Sequence, residues 1–119
     1  MIFTIHSLKD GARGVTIRVR ILVKYQPKVV KIKDNTEHRV ADIEVGDRTG
    51  RILLSLWDDM IEKVNEDDVV DIKNGYVTIF KGELRLNIGR LGHLSLIEDP
   101  NFPKTNQLIT KRWQKYRST

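Results

Sequence analysis

From Val15 the chain alternates apolar and polar positions. Val15, Ile17, Val19, Ile21 and Val23 fall on one side of an extended backbone, and Thr16, Arg18, Arg20 and Lys24 on the other. A two-residue period of this kind predicts a strand with one buried face. Tyr25-Gln26-Pro27 interrupts it, and the basic stretch Lys28 to Lys33 either extends a hairpin or forms a long loop before a turn at Asp34-Asn35. A second strand is expected over Glu37 to Val45. The Asp and Gly residues of Gly46-Asp47-Arg48-Thr49-Gly50 supply the side-chain hydrogen bond and the permissive backbone that a reversal needs. The next strand, Arg51 to Trp57, places Ile52, Leu54 and Leu56 on one face and Leu53, Ser55 and Trp57 on the other.

Asp58 to Val64 is the one helical stretch expected inside the domain, with acidic residues at its start, where the helix dipole favours them, and a place at one end of a barrel. A long strand or bent pair then runs from Val69 to Phe80, bulged or kinked at Asn74-Gly75. Lys81-Gly82 turns tightly into Glu83 to Ile88, and Leu94 to Ile97 closes or extends the last strand. The pattern stops after Asp99-Pro100-Asn101-Phe102-Pro103. That stop predicts one domain over residues 1–99 and a flexible basic tail over 100–119. The expected fold is all-β: five short strands with one small helix after the third, the element order of a five-stranded OB barrel.

Charge changes this picture by its distribution. The net +5 of the 119 residues conceals eight Lys/Arg against Asp10 in residues 1–33 and four against twelve acids in residues 34–72. The last twenty residues hold Lys104, Lys111, Arg112, Lys115 and Arg117 and no acid. A polyanion meets such patches locally, because screening limits charge attraction to about 8 Å at physiological salt. There are no cysteines, which removes disulfides and cysteine-based zinc sites. The amino terminus lacks the charged and apolar regions of a secretory signal, and no apolar run approaches the roughly 20 residues of a membrane span. A soluble intracellular protein is expected. His6, His38 and His93 are isolated, and HExxH, GxSxG and phosphate-loop patterns are absent, so neither an enzyme, a metal site nor a cofactor is expected.

Several spaced segments carry a resemblance. Gly46-Asp47-Arg48-Thr49-Gly50-Arg51-Ile52, Ser55-Leu56-Trp57-Asp58-Asp59, and Gly75-Tyr76-Val77-Thr78-Ile79-Phe80-Lys81-Gly82 through Leu86, Gly89 and Arg90 resemble the simple single-stranded DNA-binding proteins: the archaeal type and its human nuclear relatives. The resemblance spans about Leu8 to Ile97. It implies one OB fold with a separate tail, binding of single-stranded DNA in replication, recombination and repair, recruitment of replication or repair proteins, and a cytoplasmic location, or a nuclear one in a eukaryote. A monomer is expected.

The strand phase adds a physical mechanism. Tyr76, Thr78 and Phe80 share one face opposite Val77 and Ile79, and Trp57 shares a face with Ser55, so three aromatics occupy outward positions. Every base offers a π-face, and stacking contributes about 1–3 kcal/mol per base without reading sequence. The resemblance places base-stacking aromatics at Trp57, Tyr76 and Phe80. It also places DNA-side residues at Lys33 and Arg90, while strand phase adds Lys28, Lys31, Arg39 and Arg85 to a phosphate-tracking groove. Asn87 departs from the human relatives, which have an aromatic there. The acidic run Asp58 to Asp71 is expected to lie away from the groove. In the tail, Leu108, Ile109, Trp113 and Tyr116 have a spacing that would form one apolar helical face on binding a partner. Two other functions fit the residues: an RNA-binding OB protein, since stacking and phosphate contacts do not inspect the 2′-OH, and a protein-interaction OB subunit of a larger complex.

Overall fold

The computed structural model describes residues 2–115. The alternating segments form β1 (Val15–Lys24), β3 (Glu37–Asp47), β4 (Gly50–Trp57), β5 (Val69–Phe80) and β6 (Glu83–Ile97), and the basic stretch supplies a short sixth strand, β2 (Lys28–Lys31). Within the sheet order β1-β5-β6-β4-β3-β2, β1 also pairs with β3, so five strands form a ring and β2 extends it as a hairpin with β3. All pairings between these strands are antiparallel except a short parallel one, Leu53–Ser55 of β4 beside Arg85–Asn87 of β6. Leu94 to Ile97 thus extends the last strand. Between β4 and β5, Asp58–Lys63 forms a 3₁₀ turn, tighter than the expected α-helix, and its Ile61 and the following Val64 enter the barrel core.

Alternation fills the interior. Ile17, Val19, Ile21, Ile43, Val45, Ile52, Leu54, Leu56, Val70, Ile72, Val77 and Leu86 belong to one buried cluster. On β5 the inward positions change parity between Ile72 and Gly75, because register is lost between Lys73 and Gly75 and Asn74 takes a left-handed backbone conformation. This bulge is what directs Tyr76, Thr78 and Phe80 outward. At the far end of β5, Lys81 and Gly82 both have positive φ, the backbone that a two-residue hairpin requires.

Two readings of the sequence change here. A bulge between Ile21 and Val23 buries Leu22 outside the barrel interior and leaves Val23 only half-buried. Residues 100–115 lie against the barrel. Arg20 reaches out of β1 to donate to the carbonyls of Phe102 and Pro103, and Arg18 pairs with Asp71 and Asp99. A single α-helical turn, α1 (Thr105–Leu108), sets Leu108 against Gly46 beside Leu22, and both leucines are buried, 0% and 4% exposed. Beyond it the chain lies extended beside β4. The Arg51 amide donates to the Arg112 carbonyl, and the Gln114 amide donates to the Arg51 carbonyl. Trp113 is therefore in a β-bridge rather than on a helical face, and Tyr116 and Arg117 lie outside the described residues. Gly50 permits the approach, since a Cβ there would come within 2.9 Å of the Arg112 carbonyl oxygen.

Candidate nucleic-acid interface

The outward face of β3, β4, β6 and β5 is ordered in rows by the register. One row runs Asp42, Ser55, Asn87, Tyr76, and the next Glu44, Leu53, Arg85, Thr78. Trp57 stands at one end of β4 opposite Val40, and Phe80 at the end of β5 opposite Glu83. Trp57, Tyr76 and Phe80 are 40%, 38% and 52% exposed, unusual values for large rings on a barrel whose inward positions are filled with aliphatic side chains. The three aromatics named from the sequence therefore share one solvent-facing sheet surface.

Each ring has a local support. Trp57 ends β4 because Asp58 adopts positive φ, and the Asp58 carboxylate is fixed by the His38 ring at 2.7 Å and the Arg39 amide at 3.0 Å. Those two bonds, the His38 one first, hold the Asp58 carboxyl below its ordinary range. Tyr76 lies beside Gly89 of β6, where a Cβ would sit 3.3 Å from the ring. Phe80 is flanked by two cations, Lys81 at 5.4 Å and Arg85 at 5.1 Å from the ring centre. Asn87, opposite Tyr76, donates to the Thr78 hydroxyl at 3.0 Å and has no ring of its own to offer.

The basic residues divide into two groups. Lys28 and Lys31 lie exposed on β2, Lys33 on the turn after it, and Arg90 on β6 next to Gly89. Arg39 and Arg85 are engaged within the protein. Arg39 binds Glu62 and the Asp58 carbonyl, holding the Glu62 carboxyl below its usual value. Arg85 pairs with Asp42 at 2.5 Å, and its Nε is buried with no acceptor. The acidic run is also split. Asp67 and Asp71 hold Arg20, Thr105 and Arg18, whereas Asp58 and Glu62 adjoin Trp57 and Arg39 instead of lying apart from the face.

Sequence reasoning named Trp113 on a helical face and missed its place beside β4. Its indole lies over the Arg51 guanidinium, 4.2 Å to the ring centre, and Arg51 shares the outward parity of Leu53, Ser55 and Trp57 on β4. The available signals were Gly46 and Gly50, one in a strand and one at a strand's start, where a docking segment needs the space of a missing side chain. Among the described residues no cluster of three or more His, Cys, Asp or Glu could hold a metal, and no helix is long and apolar enough to cross a membrane.

Residues 8–96 match the family model described as single-stranded DNA binding protein Ssb-like, OB fold. The chain is 31% identical over 102 residues to the single-stranded DNA binding protein Ssb of Saccharolobus solfataricus, covering 86% of this chain and 68% of that protein. A hypothetical protein from Arabidopsis thaliana has a similar structure, with TM-score 0.76 and 20% identity over 100% of this chain and 88% of that one. A chain of a replication protein A heterotrimer bound to single-stranded DNA superposes with TM-score 0.73 and 18% identity, covering 87% of this chain and 26% of that one. Barrel, register and matched segments together place this chain in the Ssb-like OB-fold family of single-stranded DNA-binding proteins, a family without enzymatic activity.

Proposed function

We propose that this protein binds single-stranded DNA with little sequence preference, stacking bases on Trp57, Tyr76 and Phe80 and meeting phosphates with Lys28, Lys31, Lys33 and Arg90. The observation that carries this reading is the exposure of all three rings on one sheet surface. A footprint of about four to six nucleotides falls within the range of one OB fold. Arg85 and Arg39 act first as supports: Arg85 backs Phe80 through its pair with Asp42, and Arg39 steadies the turn that ends at Trp57. Preference for DNA over RNA rests on family membership. So do service in replication, recombination and repair, recruitment of proteins from those processes, and an intracellular site of action; a monomer suffices for the mechanism.

Tryptophan fluorescence titration with a mixed-sequence 12-mer, comparing the wild type with Trp57→Ala, tests the reading. Loss of one stacking platform weakens affinity about 5- to 150-fold, the equivalent of about 1–3 kcal/mol. Equal affinity in the two proteins overturns stacking as the mechanism.

A further inference from the structure

The docked segment and the β5–β6 hairpin enclose a cleft of about 630 Å³ on the aromatic side of the barrel. Trp113 forms one wall, the hairpin residues Glu83 and Leu84 the other, and Leu53, Tyr25 and Asp42 lie between them. Such a volume is in the range of small-molecule sites. The cleft is continuous with the Phe80 platform. Glu83 is the register partner of Phe80, so their side chains leave the same face, and Arg85 runs from the Phe80 ring to Asp42. Trp113 lies outside the residues that match the family model. Along β4, the six residue steps from Trp57 to Arg51, on which Trp113 rests, span about 20 Å.

The polar lining is mixed in charge: Gln114 and Lys115 stand in it beside Glu83 and Asp42, and Arg85 already pairs the Asp42 carboxylate. Asp42 and Glu83 bring carboxylates to the cleft, and the Tyr25 hydroxyl donates to Glu44 at 3.3 Å. A second cation gains little over the indole, because Arg51 already occupies one face of Trp113. A flat, neutral group with N–H donors on its edge meets all these conditions. We propose that Trp113 is a fourth stacking platform and that its cleft takes one nucleobase, lengthening the path of the strand beyond Phe80. This rests on the stacking reading above.

The test uses the full chain and a series of single strands that lengthens by one nucleotide at a time, in wild type, Trp113→Leu, Trp113→Phe and Trp57→Ala. Once the three barrel platforms are filled, the next nucleotide raises wild-type affinity about 5- to 100-fold. Trp113→Leu loses that step while keeping its affinity for shorter strands, and Trp113→Phe keeps most of it. Photocrosslinking to the unaltered protein, with 5-iododeoxyuridine scanned through the strand, marks Trp113 from a terminal position only. Wild-type binding that depends on Trp57, with an unchanged length step in Trp113→Leu and no Trp113 crosslink, overturns the cleft and leaves the stacking barrel standing. Equal affinity of wild type and Trp57→Ala removes the barrel reading itself, and the cleft proposal with it.

Discussion

Trp57 and Trp113 expose nearly the same fraction of their surface, 40% and 38%, on the same side of β4, yet they are held in unlike ways. Trp57 is a strand residue, placed by the pairing of β4 with β3 and by the turn at Asp58. Trp113 arrives from sixty-two residues further along the chain than Arg51, and its place depends on two backbone hydrogen bonds, a cation beneath the ring and the anchoring of Leu108. A platform on a strand is secured by the whole barrel. One on a docked segment is only as secure as that segment's own contacts.

Removing the anchor should separate the two most sharply. Leu108→Ala deletes a fully buried side chain and is expected to cost about 2–5 kcal/mol, lowering the Tm by roughly 8 °C or more. Thermal melts followed by circular dichroism measure this, and a Tm unchanged within error would mean the segment is not held by that leucine. Quenching of Trp57 by a short strand should survive in the same variant.

A smaller effect is expected from crowding the platform between them. Gly89→Val adds a branched side chain where even a Cβ meets the Tyr76 ring, so the ring must turn. Affinity should fall roughly 3- to 10-fold, less than for loss of a whole platform, with little change in Tm. Calorimetric titration of Gly89→Val beside Tyr76→Ala checks it; affinity equal to wild type would show that Tyr76 does not need its present position.

The smallest effect concerns the turn behind Trp57. Asp58 has its carboxyl lowered from the ordinary value of 3.8 by the His38 bond and then the Arg39 amide. A depressed carboxyl stabilises the fold above the unfolded-state value and ceases to do so as pH falls through the folded-state value. Asp58→Asn keeps a residue that tolerates positive φ and removes this titration. Its Tm should lie slightly below wild type at neutral pH and converge with it on the acid limb. Parallel curves at every pH would exclude the carboxylate as the source.

The same contrast explains what could be read from the chain alone. The barrel and its three rings were legible because each strand carries one wet face and one dry face, and a period of two survives in the letters; even the Asn74-Gly75 bulge left its mark. The docking of residues 100–115 was not. Leu108 is a single buried leucine, and Phe102, Pro103 and Arg112 are held through their backbone carbonyls, which every sequence possesses. Periodicity ends at Ile97, while the order of the chain, held by backbone groups and one leucine, does not. The engagement of Arg85 and Arg39 was hidden for a related reason: Asp42 and Glu62 lie 43 and 23 residues away in the chain, and only closure of the ring brings them near.

The bulge at Asn74 also has a consequence for how this gene can change. Inward positions on β5 are even-numbered before it and odd-numbered after it, so the aromatic surface depends on one uncompensated residue. Deleting a single codon there, with no substitution anywhere, would carry Val77 and Ile79 toward water and Tyr76 and Phe80 toward the core. Strand composition would hardly change, yet the surface that faces the nucleic acid would be turned inside out. Length variation at this point is therefore closed to the lineage in a way that variation in the β2–β3 hairpin is not.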